Sequence, residues 1–190
     1  MGRPSKRAER RAEILVAFAR VLADHGYAGA TIAAVAAEAD IAPGLIHHHF
    51  SNKEDLLSTL LKDLISRFRD RMGNAGEEEK DPLLAYVDAA LKLNERSDLV
   101  AARCWVGMFA EAIRNPLLFS QVRRLIDTEI LTIQTLSEHK LNSKQAGGVL
   151  AFIIGSLVLG AFAPKKTKGF AAPNLRQLIC AMRASKTSMS

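Results

Sequence analysis

This chain of 190 residues has only two cysteines, one tryptophan and two tyrosines. Cys104 and Cys180 both fall in apolar helical patterns. They read as thiols buried in a reducing compartment, which excludes a disulfide-built secreted scaffold. Long runs of alternating apolar and polar residues are missing, so nothing argues for a sheet. There is no internal repeat. There is also no G-x-S-x-G, phosphate loop, dinucleotide fingerprint or metal-ligand spacing, so the chain is not read as an enzyme and no cofactor or metal is expected. The basic N-terminus has no apolar core behind it and is not a secretory signal. Hydrophobic residues make up 48% and aromatic ones 6%. That composition suits an Ala/Leu-rich all-α protein long enough to bury a sizeable core.

The net charge of +6 is unevenly placed. Arg3, Lys6, Arg7, Arg10 and Arg11 stand against Glu9 at the start, and no acid follows Glu138. A basic arm points to phosphate contacts and to minor-groove insertion by Arg3 or Arg7. The basic C-terminal end reads as a solvated face of the last helix.

The stretch Thr31–Lys53, TIAAVAAEADIAPGLIHHHFSNK, reads as two short helices joined by a tight turn, then the start of a third. Thr31 is a good N-cap, and Ile32, Val35 and Ala36 recur at helical spacing. Asp40 sits in the turn, where Asp tolerates positive φ. Pro43 fits the first turn of a helix over 43–50. Ile46 and Phe50 would hold that helix from inside, leaving Pro43, Gly44, Leu45, His47 and His48 outward. A short, propped helix with an exposed face is what a major-groove reader requires. The three consecutive histidines point about 100° apart and cannot share one tetrahedral metal site.

Helix 1 is expected over 6–24, with Ile14, Leu15, Phe18 and Leu22 along one side. It is followed by the Gly26-Tyr27 corner, Thr31-Ile32, Ala36-Ala37-Glu38-Ala39, Gly44, His48-His49-Phe50 and Lys53-Glu54-Asp55-Leu56-Leu57. In this order and spacing, residues 8–72 resemble the DNA-binding domain of the TetR family of bacterial repressors. Asp40 replaces the family's usual Gly, His47 and His49 its usual Tyr. Ala42 replaces its Ser or Thr N-cap, a loss of roughly 0.5–2 kcal/mol of capping. The resemblance implies phosphate contacts by Thr31 and Lys53, backbone contacts by His47 and His49, and base-reading positions at Pro43, Gly44 and Leu45. Ala42 and His48 complete the expected DNA-binding set. Since Pro43, Gly44 and Leu45 carry no polar group, much of the specificity falls to the histidines, the arm and DNA shape.

The expected organisation is an arm and helix-turn-helix domain over 1–51, a connecting helix over 52–72, and a helical effector-binding and dimerisation domain over 73–190. Gly73-Asn74-Ala75-Gly76 reads as the loop between them. Further helices are expected over about 81–94, with Asn94 on the inner face, and over 99–114, 116–138, 143–162 and 174–184. Ser143 would cap the fourth of these, and 164–173 would be a loop. The uncharged stretch Ala146–Ala163 has about the minimum length of a membrane span. Four glycines and the lack of Trp or Tyr at its ends favour a buried core and dimer helix instead.

Cys104 to Pro116, with Trp105, Phe109 and Ala112, resembles the C-terminal domain of the BetI-type subgroup, named for a repressor responding to choline. Helical spacing places Trp105, Phe109 and Ile113 on one face, as pocket or as core. Pocket candidates are Tyr86, Trp105, Met108, Phe109, Ile113 and Phe152. Ile154 stands where the subgroup tends to have an acid, and one Trp and two Tyr make an aromatic cage hard to assemble, so choline is not assigned. The family resemblance implies a homodimer through the last two long helices, with Gly148, Phe152, Gly155, Leu159, Leu175, Leu178 and Ile179 as interface candidates. It places the partners as a pseudo-palindromic double-stranded DNA operator and a small-molecule effector, with no membrane, in the bacterial cytoplasm. The fourth helix is expected to carry the coupling between effector and DNA.

Overall fold

The computed structural model describes residues 6–91, 96–163, 165 and 169–187, with side chains for all of these except 71–78, 96–98 and 185–187. Arg3 and Asn94 lie outside the described residues, as does much of the expected 164–173 loop. All regular structure among the described residues is helical: α1 (Lys6–Gly29), α2 (Ile32–Glu38), α3 (Pro43–His47), α4 (Lys53–Glu78), α5 (Pro82–Leu91), α6 (Arg96–Ala112), α7 (Pro116–Leu136), α8 (Ser143–Phe162) and α9 (Ala171–Thr187).

The first four helices are set by local chemistry. α1 turns one apolar stripe inward, with Ile14, Phe18 and Leu22 buried. It runs past the expected end at 24 and breaks at Gly26, whose φ of 67° is the left-handed conformation that favours glycine. The Thr31 hydroxyl accepts the Ala34 amide at 3.1 Å and starts α2. Asp40 turns the chain at φ 52°. Ala42 precedes α3 without a side-chain cap, with Pro43 at the first turn. α3 stops at His47, short of the expected residue 50, yet Phe50 still closes its base: its amide donates to the Ile46 carbonyl at 2.9 Å and its ring is buried. At the start of α4, Asn52 Oδ1 accepts the Asp55 amide at 2.8 Å, and Asp55 Oδ2 accepts the Ser51 amide at 3.1 Å. This reciprocal pair satisfies donors that a helix start leaves open.

The expected break at 73–76 is absent, because α4 continues helically through both glycines to Glu78. Gly73 and Gly76 lower helix propensity by about 1 kcal/mol each, but they do not end a helix already propagated through four apolar turns. Asp81 then restarts the chain as α5, its Oδ1 accepting the amides of Leu83 and Leu84. The cap of α8 is Asn142, one residue before the expected Ser143, in a full capping box with Gln145.

Two apolar clusters fill the molecule. One joins α1–α4 to Cys104, Met108 and Ala112 of α6 and to Leu118 and Val122 of α7. The other gathers α5, α7, α8 and α9 around Tyr86, Ile133, Ile153, Leu175 and Ile179. The helix-turn-helix part is thus not a free unit on a stalk, since its core is completed by helices of the larger part. α8 is long and apolar enough to cross a membrane by composition. Its Val149, Leu150, Ile153 and Gly160 are nevertheless buried among neighbouring helices.

Candidate nucleic-acid interface and effector cavity

The expected DNA-contact residues share one end of the molecule. Thr31, Ala42, Pro43, Gly44, His47 and His48 are exposed, and Leu45 and His49 half-buried. Arg7 is exposed on the first turn of α1. Among the described residues no group of three or more His, Cys, Asp or Glu could hold a metal ion.

Two basic residues have structural partners. Arg11 donates to the His49 carbonyl and to Thr59 Oγ1 at 3.3 Å, with its guanidinium 4.1 Å from the Phe50 ring centre. It clamps α3 to α1 and α4. Lys53 donates to the Tyr27 carbonyl and lies 4.0 Å from the Tyr27 ring centre. Burial holds its pKa below the ordinary lysine value despite Glu111 and Glu54 nearby. Tyr27 in turn donates to Glu54 at 3.2 Å, and burial with Glu54 pushes its phenol well above its usual value. Lys53 therefore braces the Gly26-Tyr27 corner as well as standing at the N-terminus of α4.

Between α4, α5, α6, α7 and α8 lies a cavity of about 730 Å³, counted out to its open mouth. Tyr86, Trp105 and Phe109 line it as expected. Met108 does not: it is fully buried in the cluster beneath α1. Ile113 is 81% exposed beyond the end of α6, and Phe152 is half-buried on another side of α8. Helical spacing grouped Trp105, Phe109 and Ile113 on one face; Trp105 and Phe109 share the cavity, but α6 ends at Ala112 and Ile113 stays outside.

Two lining residues, Phe68 and Glu129, carried no motif. Phe68 of α4 meets Tyr86 edge-on at 5.3 Å, and Trp105 stacks on Phe109 at 5.8 Å. Phenylalanine therefore completes a four-ring lining that a count of Trp and Tyr did not allow for. Arg69 of α4 stands 3.9 Å from Glu129 Oε1. Glu129 of α7 is the charged group of the lining, only 7% exposed, and its Oε2 accepts the Tyr86 hydroxyl at 2.8 Å. Burial and this carboxylate raise the Tyr86 pKa well above its usual value. The sequence did hold a signal for Glu129. It occupies the inward stripe Leu118, Val122, Ile126, Glu129, Ile133, where an acid at an apolar position calls for a reason.

α6 stands between cavity and DNA-binding part. Trp105 and Phe109 face the cavity, while Cys104 and Met108 enter the core under α1. The Cys104 thiol donates to the Ala19 carbonyl at 3.2 Å, and burial pushes its pKa up to about 12. A β-carbon on Gly107 would lie 3.7 Å from Leu22. Beside α4, α6 thus forms a second, closely packed connection between the two parts.

Of the interface candidates, Gly148, Gly155, Leu159 and Leu178 are exposed. Leu175 and Ile179 are 1% and 0% exposed and belong to the subunit's own core. Sequence pattern alone did not separate the two faces of α9. The basic C-terminal end is also less solvated than expected. Arg176 donates to Asp88 at 2.9 Å and Glu79 at 2.5 Å, and Arg183 grips Asp81, tying α9 to the α4–α5 junction.

Comparison with known proteins agrees with this arrangement. Residues 14–60 match the profile of the bacterial regulatory proteins of the tetR family. The chain is 26% identical over 176 residues to the HTH-type transcriptional regulator BetI of Stenotrophomonas maltophilia, covering 85% of this chain and 89% of that protein. A transcriptional regulator from Rhodococcus sp. Rha1 has the same fold at TM-score 0.79 and 20% identity, over 92% of this chain and 96% of its own. A transcriptional regulator from Saccharomonospora viridis in complex with choline superposes at TM-score 0.64 and 22% identity, over 91% and 94%. With a helix-turn-helix at one end that matches the tetR-family model, a lined cavity in the larger part and similarity to BetI regulators over most of its length, the chain is a DNA-binding transcriptional regulator that resembles the TetR family, BetI-type.

Proposed function

We propose that this regulator is a dimeric repressor, acting in the bacterial cytoplasm, that leaves its operator when a small apolar-bodied organic cation occupies the cavity. The observation that carries the reading is Glu129: a nearly buried carboxylate set among Phe68, Tyr86, Trp105 and Phe109. An aromatic lining attracts a cation through ring quadrupoles, and a carboxylate supplies the counter-charge. The choline bound by the Saccharomonospora regulator has this chemistry.

On DNA, His47 and His48 meet backbone and base edges, and Thr31 and the α4 N-terminus meet phosphate. Pro43, Gly44 and Leu45 pack on thymine methyls. Two-fold symmetry through the exposed side of α8, with Leu178 of α9, sets two α3 helices in successive major grooves. The ligand acts through α6, whose opposite sides touch the cavity and α1, by favouring a dimer geometry that no longer matches the groove spacing.

The test is fluorescence anisotropy or gel shift of the protein on the intergenic DNA upstream of its own gene, with competitor DNA, at two salt concentrations. A discrete competitor-resistant complex that dissociates on adding choline or another quaternary ammonium compound is the expected result. Binding lost to competitor or moderate salt would leave only the non-specific electrostatic term. A specific complex unmoved by every cation tried would overturn the effector assignment.

A further inference from the structure

The two oxygens of Glu129 are differently satisfied. Oε2 accepts the Tyr86 hydroxyl at 2.8 Å, whereas Oε1 faces the Arg69 guanidinium at 3.9 Å. That is an ion pair without hydrogen-bond contact. Arg69 lies on α4, its side chain 58% exposed, while the Glu129 side chain is 9% exposed. A carboxylate this buried needs a positive partner, because an unpaired buried charge is costly. Arg69 supplies it, at 3.9 Å from Oε1 and outside hydrogen-bond range.

We propose that Arg69 is the resident counter-charge of Glu129 and that a cationic effector replaces it there. This rests on the reading of the cavity as a site for organic cations, and adds how the ligand's charge is felt. Arg69 and the ligand compete for one oxygen. Displacing Arg69 removes one of the ties between α4 and α7, and α4 begins at the DNA-binding end, 16 residues or about 24 Å along the same helix. A neutral molecule of the same shape fills the cavity but leaves the Arg69–Glu129 pair in place. Arg69 is thus a positioning residue that makes release depend on ligand charge.

The experiment uses the full-length protein and the probes choline, tetramethylammonium and 3,3-dimethyl-1-butanol, the last being choline's neutral isostere. Binding is read by calorimetry and Trp105 fluorescence, and DNA release by anisotropy. In Arg69→Gln, choline is expected to bind about two- to fivefold more tightly, the range set by losing a partly exposed competing ion pair. The neutral isostere should bind as to wild type. Choline should also change operator affinity less than in wild type, because that tie between α4 and α7 is already gone. Arg69→Lys should restore wild-type behaviour. Glu129→Gln, which keeps an acceptor for Tyr86, should bind choline and its isostere alike. If choline binds wild type and releases DNA but Arg69→Gln is indistinguishable from it, the exchange is overturned and the cation site stands. If no cation binds wild type, the cavity reading and the exchange fall together. Equal DNA release by choline and its isostere would also overturn the exchange.

Discussion

At the residue scale, the side chains proposed to meet DNA divide into those held by the fold and those left for a partner. His47 is exposed on α3 with no core role, whereas Lys53 bonds to the Tyr27 carbonyl and covers its ring. Their substitutions should therefore differ. His47→Ala is expected to weaken operator binding about two- to tenfold, the value of one hydrogen bond to the DNA backbone, with melting temperature and dimer unchanged. Lys53→Ala should weaken operator binding and also lower the melting temperature, because the Gly26-Tyr27 corner loses its brace. Anisotropy and thermal melts on the same samples separate the two, and unchanged affinity in both variants would remove them from the interface. The position of Lys53 was legible from the sequence, but its Tyr27 partner was not, being 26 residues away across a corner. Glu129 shows the converse. Its place in an inward stripe was readable, but only the fold reveals that Phe68 and Tyr86 come to the same point.

At the element scale, helix existence was legible and helix ends were less so. α8 was expected over 143–162 and is found there, because an uncharged run after a capping box admits little else. α4 overran its expected end because propagation in a long helix outweighs two glycines. α9 was placed as a helix, but not as a clasped one. The clasp has a pH signature. Burial raises the Asp81 carboxyl, but hydrogen bonds from Arg183 and from the amides of Leu84 and Leu83 outweigh it and hold the pKa below its ordinary value. A depressed folded pKa contributes stability above the unfolded value, near 3.9 for Asp, and that stability is lost as pH falls through the folded value. Arg183→Gln should thus melt about 2–4 °C below wild type near neutral pH, the shift that ~1 kcal/mol produces in a chain this size. The gap should narrow as pH falls below about 4, where wild type also loses the pair. A gap that does not narrow at all as pH falls below about 4 would mean that Arg183 acts by packing and not by its charge.

At the scale of the whole molecule, the strongest unmet demand is the outer side of α8. Gly148, Ala151, Gly155, Leu159 and Phe162 recur three or four apart on one side, opposite the buried Val149, Ile153 and Gly160. Leu159 is 55% and Phe162 78% exposed, and a β-carbon on Gly148 or Gly155 would meet nothing within 4 Å. Small residues followed by large apolar ones on a solvent-facing helix suit the close approach of a second helix. A second copy meets the demand symmetrically, since a two-fold axis pairs the same face with itself. Leu159→Lys should then yield monomers in sedimentation without a fall in monomer helicity, because Leu159 makes no part of the subunit core. It should also reduce operator affinity far more than any contact residue does, since one α3 helix reads only half of a pseudo-palindrome. Ligand binding would discriminate the cause: the cavity lies on the other side of α8, so Trp105 should still respond to a bound cation in the monomer. A dimer that survives Leu159→Lys with full operator affinity would move the interface elsewhere. The exposed Leu159 and Phe162 would then need a different partner.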